Sequence, residues 1–560
     1  MTQSFYSQKI KMKNTKIAYF SMEIALSDEI PNYYGGLGVL AADILLAAAD
    51  KEKPLVGISL IYHRDEDQKK AFDPSKFMEK LDKTIKVEIE DREVEVLIYK
   101  LEAEGKSGKK ITIYFLSTNS ENNSAGDKAI TQYLYSSDGY IRLAQEIVLG
   151  VGGVRALEIV EPETEFAYHM NEGHSALLTL ELLRRKNYAE KAVSKICTFT
   201  NHTPVAAGHD YFEYDLAYKI AGKLLPSNIK NLSTPSKLGL TELAINLSRI
   251  SNSVSEKHHG VCGKMFPGKN FANVTNGIYH LRWVGTEFAK LYDKYLSGWR
   301  ENPSIFERAV EILPDEEVVA AKQAEKTKLI AWINENPSHF IFKDIKAEDK
   351  FDEKTLTAVF ARRTVSYKRT DLIFQNVERL CGLGPKKIQL IFASSWIQFG
   401  GFGVSMRAKI EEQARKLRGQ IKIVILPEYT LEIARKLATG SDIWINNPVP
   451  PLEASGTSGM KAALNGGMNV SILDGWWIEG FHKNPRSGWA FGETSEFLQP
   501  LKRDEADAIE LYSALEEVLN CYYNRKKNWS DRMKEAISLT SFFNTYRVLE
   551  EYEKNIWNAS

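Results

Sequence analysis

The sequence predicts an α/β protein built from two Rossmann-like domains facing a central cleft. Three observations carry this: an early strand, glycine loop and helix; a second half in which apolar strands alternate with helices; and a length of 560 residues, too great for one ordinary core. In the first half, KIAYFSM at 16–22 reads as a buried strand. The loop PNYYGGLG runs from Pro31 to Gly38, and VLAADILLAAAD is the helix behind it. Further strands are expected at 55–62, 94–100 and 109–116, and a helical stretch from Arg142 to Leu157. EFAYH at 165–169 is a strand leading into a helix that starts near Asn171 and Glu172. KICTFTNH is another strand, ending at Asn201, His202 and Thr203. Periodicity fades between 250 and 280, so the first domain is placed at 1–285.

The second half repeats the alternation more clearly. TLTAVFARR (355–363), KKIQLIFA (386–393), IKIVIL (421–426) and MNVSIL (468–473) are strands. YKRTDLIFQNVERL, MRAKIEEQARKL, LEIARKLA and GTSGMKAALNGG supply the intervening helices. Parallel sheets of this kind bind ligands outside the carboxyl ends of their strands, and with two of them the cleft between is the expected site. The second domain is placed at 286–530, with a helix from about 530 available to pack back on the first. KDIKAEDKFDEK (343–354) reads as a solvated connection.

Bulk properties narrow the function classes. Seventy-three basic residues balance seventy-three acidic ones, so neither a nucleic-acid nor a membrane partner is indicated. Four scattered cysteines without a CxxC pair fit a reducing compartment. The N-terminus lacks a signal-peptide core and no window reaches the length of a membrane span, so a cytoplasmic protein is expected. His169, His174, His202 and His209 lack the HExxH form, and no metal is expected.

Three local patterns point to anion chemistry. In EASGTSGMKAALNGG (453–467), Gly456, Thr457, Ser458 and Gly459 offer N–H and hydroxyl groups at a helix start, with Lys461 in reach of the same pocket. A glycine- and serine-rich helix start with a surface lysine is the alternative. In ARRTVSYKR (361–369), Arg362, Arg363, Lys368 and Arg369 cluster at a strand-to-helix turn suited to a phosphate dianion. A surface patch paired with acids such as Asp371 competes. Gly35, Gly36 and Gly38 permit close backbone approach, or serve only a tight turn. His174 and His202, near strand ends, are candidates for sugar hydroxyls.

Taken in order, YYGGLGVLAAD, QEIVLGVGGVRAL, YHMNEGH, TNHTP, VTNGI, FARRxxxYKR, EASGTSGMKAALNGG and LDGWW resemble the glycogen and α-glucan phosphorylases, across almost the whole chain. The resemblance implies a GT-B fold with pyridoxal 5′-phosphate held as a Schiff base by Lys461, its phosphate taking part in proton transfer. It implies that Arg363 and Lys368 line the phosphate pocket beside Arg362. Main-chain contacts come from Gly35, Gly36 and Leu37. Sugar contacts come from His202, Asn276, Glu453, Ala454, Ser455 and Gly456, and Tyr429 lies near the cofactor. The implied reaction is reversible, retaining phosphorolysis of terminal α-1,4 bonds of an α-1,4-glucan or maltodextrin by orthophosphate, giving α-glucose 1-phosphate. A homodimer is implied, and phosphoserine or nucleotide control through N-terminal elements is not. Ser394 and Ser395 depart from the family's glycine–lysine pair, and the IQFGGFG segment after them is also unusual. A nucleotide-sugar glycosyltransferase of the glycogen-synthase kind shares the fold but commonly carries a glutamate eight positions after Glu453, where this chain has Lys461. A non-catalytic glucan-binding protein is the other alternative, kept open by the two serines.

Overall fold

A computed structural model of the chain describes residues 15–64, 71–384, 387–396, 401–492 and 499–558. The first half carries β1 (Lys16–Phe20), β2 (Leu55–Leu60), β3 (Glu79–Ile89), β4 (Arg92–Glu104), β5 (Lys110–Ser117), β6 (Phe166–Asn171) and β7 (Cys197–Thr200). A small antiparallel pair follows, β8 (Tyr211–Glu213) and β9 (Lys237–Gly239), and then β10 (Ile250–Ser253) and β11 (Phe271–Asn273). Among the described residues these form a nine-stranded sheet, ordered β11-β10-β7-β6-β1-β2-β5-β4-β3. It is parallel except where β4 runs against β3 and β5.

The second half carries β12 (Leu356–Ala361), β13 (Ile388–Ala393), β14 (Lys422–Leu426), β15 (Ile443–Asn446), β16 (Met468–Ile472) and β17 (Gly488–Phe491), ordered β14-β13-β12-β15-β16-β17 and parallel throughout. β12 and β13 are buried at every position, which is why they read as unbroken apolar runs. The two sheets give the α/β, GT-B-like architecture that the sequence predicts. Strand order reverses beside β1 in one sheet and beside β12 in the other. Such switch points open a crevice at the carboxyl ends of the strands. The chain leaves β1 toward the glycine loop and leaves β12 directly into Arg362 and Arg363.

One apolar cluster spans both halves, running from Ile17 and Tyr19 through Trp283 and Phe360 to Trp557. Helices Pro500–Asn524, Lys526–Ser538 and Thr545–Glu551 follow the second sheet, and the chain then returns to the first. There Trp557 Nε1 donates to His169 Nδ1 at 3.1 Å, and the Tyr552 hydroxyl lies 3.3 Å from that of Thr200. His169 also stacks on Tyr19, and burial holds its ring neutral, at a pKa of about 3. No described helix is long and apolar enough to cross a membrane.

Several local expectations are corrected. YKRTDLIFQNVERL is not one helix but two short 3-10 turns, Ser366–Lys368 and Leu372–Phe374, followed by Val377–Gly382. Arg369 breaks it, with a left-handed backbone (φ 48°). The helix expected near Glu172 begins at Leu178, after a 3-10 turn. The connection at 343–354 is partly pinned: Phe351 is buried, and Asp349 accepts two hydrogen bonds from Arg418. The IQFGGFG segment lies partly outside the described residues.

Trp557→Ala is expected to destabilise the protein by about 3 kcal/mol, the usual cost of emptying a large aromatic site. Urea unfolding measures it, and an unchanged midpoint would detach the C-terminal segment from the first sheet.

Candidate active site

Lys461 sits on the helix Ser458–Leu464, which starts just after Gly456 (φ 86°). The side chain is buried, and its amine lies 3.7 Å from the centre of the Trp283 ring. Among the described residues, no hydrogen bond or ion pair reaches that amine. Burial lowers its pKa to about 8, with Asp43 opposing and Arg282 reinforcing the shift. Asp43 is tied elsewhere: it accepts from Trp283 Nε1 at 2.8 Å, from Tyr279 N at 3.1 Å and from Arg282 at 3.2 Å. An amine so placed reaches its neutral, nucleophilic form near pH 8.

Arg362 follows β12, and Lys368 closes the turn Ser366–Lys368. Both are buried, and both donate to the same oxygen, Glu453 Oε2. Burial pushes the Glu453 carboxyl up, but Arg362 and Lys368 outweigh it and hold it at about 2. Burial and the neighbouring Arg362 pull Lys368 down to about 7. One carboxylate thus faces two cations. Arg362 also keeps Nε and Nη1 buried without a partner. Buried donors of this kind cost free energy until an acceptor arrives.

Arg363 points the other way, toward solvent and the first half. Its guanidinium carbon is 6.0 Å from the Tyr34 ring centre, and a Cβ placed on Gly35 would lie 2.9 Å from its Cδ. A side chain on Gly35 would force the Arg363 side chain to shift. Gly35 caps the helix Gly36–Asp50, whose first turn has no side-chain cap and no acidic residue. Glu23 fixes the loop from behind, accepting from Tyr34 N at 2.7 Å and Gly35 N at 3.3 Å, with Tyr135 on its other oxygen at 2.7 Å. The first-turn N–H groups from Gly36 to Leu37 and the Arg363 fork make an anion cradle.

The remaining expected residues are distributed around these two clusters. Asn276 Oδ1 and Ser455 Oγ are buried and have no partner, an arrangement suited to ligand hydroxyls. Ala454 O already accepts from Ser255 Oγ at 2.6 Å. His202 is held neutral by burial, with Nε2 2.6 Å from Asn171 Oδ1 and its backbone N–H on Glu172. Tyr429 is half-buried within the field of Arg362. Thr457 caps the Lys461 helix, the Ser458 hydroxyl accepts from Trp444 Nε1 at 3.2 Å, and Gly459 packs against Asn469.

Two expectations are not met. His174 is consumed structurally, its Nε2 accepting from Met22 N at 3.0 Å. Arg369 does not join the basic cluster. It pairs with Asp504 at 2.8 Å and Asp507 at 2.7 Å, and donates to the carbonyls of Asn447 and Pro448. Asp371 pairs with Lys409 rather than with the cluster. Ser394 is buried, 2.5 Å from Thr364 Oγ1. Sequence reasoning missed Glu23, Asp43, Trp283 and Asp474. Asp474 stands in LDGWW, so motif membership was the available signal for it, whereas Trp283 lies five residues past VTNGI, outside the quoted motifs.

The pattern of the carbohydrate phosphorylase family matches residues 403–520. A maltodextrin phosphorylase of Thermococcus litoralis is 33% identical, over 97% of this chain and 70% of its own length. A glycogen phosphorylase of Aquifex aeolicus is 32% identical, over 96% of this chain and 85% of its own. An uncharacterized protein of Methanocaldococcus jannaschii is 30% identical, over 96% of this chain and 99% of its own. With identity of 30–33% over nearly the whole of this chain, it belongs to the carbohydrate phosphorylase family.

Proposed function

We propose that the chain is a pyridoxal-phosphate-dependent α-glucan phosphorylase, transferring the terminal α-1,4-linked glucose of a maltodextrin or related glucan to orthophosphate. The observation that carries this reading is the pairing of two cations, Arg362 and Lys368, with the single carboxylate of Glu453, whose loop runs into the helix that carries the buried, unpaired Lys461 amine. Neither a surface patch nor a sugar-binding module requires that combination.

The residues fit the cofactor. Lys461 would hold it through the amine, while Arg362, with two unsatisfied N–H donors, and Lys368 would hold its phosphate. When bound, the group supplies a phosphate that exchanges a proton with the substrate phosphate. Arg363 and the Gly36–Leu37 amides would hold the substrate phosphate, with Lys368 shared between it and the cofactor's phosphate, and the cations would offset the repulsion between the two anions. Asn276, Ser455 and the Glu453 carboxylate would orient the sugar, with neutral His202 beside them. Orthophosphate gives its proton to the leaving glycosidic oxygen, and one of its oxygens then bonds the anomeric carbon on the same face. The configuration is retained through an oxocarbenium-like centre, with no carboxylate nucleophile. Glu453 would have a double part here: a phosphate held by Arg362 and Lys368 competes with it for both, freeing the carboxylate for sugar hydroxyls.

Borohydride reduction followed by peptide mass spectrometry is expected to fix one pyridoxyl group on the Lys461 peptide and none in K461A. A label on another lysine, or full activity in protein free of the cofactor, would falsify the assignment. Because only the neutral amine bonds an aldehyde, recombination of stripped protein with pyridoxal phosphate should accelerate as pH rises through about 8. A rate independent of pH between 7 and 9 counts against the buried amine.

Arg363→Ala and Lys368→Ala are each expected to lower kcat/KM for phosphate by about tenfold or more, with glucan KM changing far less. Phosphate and maltoheptaose kinetics on both variants decide this, and near-wild-type phosphate kinetics in both would remove these residues from the site.

A further inference from the structure

The segment Glu453–Gly456 is a loop, yet it carries the carboxylate and the hydroxyl that face the cleft, so something must fix its backbone. β16 ends at Ile472, and the chain turns at Asp474 and Gly475 into the helix Trp476–Lys483. Asp474 is buried. Its two oxygens take two backbone donors, Glu453 N on Oδ2 and Gly475 N on Oδ1, each at 2.9 Å. Trp476 N then donates to Ser455 O at 2.9 Å. Gly475 has φ 54°, and a Cβ there would lie 2.4 Å from Ser455 O. The turn therefore grips the loop at two successive points, the N–H of Glu453 and the carbonyl of Ser455.

The same helix is anchored to the other half of the protein. Glu479 accepts from Glu256 N at 2.9 Å and from Thr275 Oγ1 at 2.8 Å, one residue before Asn276. The turn and its helix thus connect the Glu453–Ser455 loop to the strand-end loop that presents Asn276.

We propose that Asp474 is a positioning residue for the glucan, gripping the Glu453–Ser455 loop through the Asp474–Gly475–Trp476 turn so that Glu453, Ser455 and Asn276 meet the sugar together. The proposal rests on the phosphorylase reading for the identity of the ligand, an α-1,4-linked oligosaccharide. It leaves the phosphate side to Arg363, Arg362 and Lys368.

Burial and the nearby Glu453 charge raise the Asp474 carboxyl, to about 7, while the two N–H donors and Lys257 oppose the rise. Tyr367 also faces it. The sign follows: above about pH 7 the carboxylate accepts both N–H groups, and below it a protonated oxygen turns one acceptor into a donor. Glucan affinity should therefore weaken as pH falls through this range.

Asp474→Asn keeps the shape but points an amide at a backbone donor. Gly475→Ala attacks the same grip from its other side. Each is expected to raise KM for maltopentaose by about tenfold, the consequence of one unpaired buried donor. KM for phosphate should change less than about twofold on the same scale. The acid-side weakening of glucan binding should disappear in D474N. Thermal melting checks that each variant is folded, and if one fails to fold the other carries the test. Calorimetric titration with maltopentaose reads the grip without turnover, so it separates this proposal from the phosphorylase reading. Absence of glucose 1-phosphate production by the wild type would sink that reading alone. Wild-type-like glucan binding in the folded variants, or a parallel rise in KM for phosphate, would overturn the positioning role.

Discussion

Arg362 and Lys368 lie at the carboxyl edge of β12, buried, and share the single carboxylate of Glu453. Burying three charges is expensive, and one negative charge against two positive leaves the cost only partly offset. The strand order makes this unavoidable: β12 is flanked by β13 and β15, and the crevice between them receives whatever follows Ala361. Two features of the neighbourhood follow from the imbalance. Lys368 is driven toward neutrality, and the guanidinium keeps buried donors without an acceptor.

The opposite wall is built from polar contacts between backbone and carboxylates. Asp28, just ahead of the glycine loop, accepts from Leu431 N at 2.7 Å and Glu432 N at 3.0 Å, capping the helix Leu431–Gly440 of the second half. That helix starts two residues after Tyr429. Gly285 N donates to Asn465 Oδ1 at 2.6 Å, and Tyr292 OH to Leu464 O at 2.5 Å, tying the connecting helices to the Lys461 helix. These contacts tie loops and helix ends together, so the candidate site residues sit on short, tethered segments. Catalytic geometry depends on such tethers, because a displacement of about 1 Å can cost a hundredfold in rate.

What was legible in the sequence divides along physical lines. β12 and β13 were readable because strands buried on both faces demand apolar runs. The glycine loop was readable because three glycines between a strand and a helix stand out in sequence, and Gly38 packs so tightly on Glu23 and Tyr33 that a Cβ there would clash. β10 (ISNS) and β17 (GWAF) were not, since polar and glycine residues there are sheltered by tertiary neighbours rather than announced by pattern. Arg369 looked like part of the cluster because spacing cannot reveal Asp504 and Asp507, which arrive from more than a hundred residues away. Glu23, Asp43 and Asp474 were missed for a similar reason. An acidic residue is by default a solvated one, and only the fold shows it buried against backbone N–H groups or a tryptophan. The expected site residues came largely from motif resemblance. Composition and spacing alone left Lys461 as either a cofactor anchor or a surface lysine.

Burial alone would push every ionisable group in the cleft toward its neutral form, and Lys461, Lys368 and Asp474 all move that way. Glu453 is the exception, because two cations outweigh its desolvation. Its ionisation therefore depends on its partners, and its partners are the groups a phosphate would claim. A dianion entering at Arg362 and Lys368 would weaken their hold on Glu453, while the backbone stays gripped at Glu453 N by Asp474. The released carboxylate would then need donors, and the hydroxyls of the proposed glucan could supply them. On the proposed reading, the anion held by Arg362 and Lys368 is the cofactor's phosphate, so cofactor and glucan would be coupled through this one side chain. The coupling would be reciprocal: whatever the one contributes to the affinity of the other, it receives back.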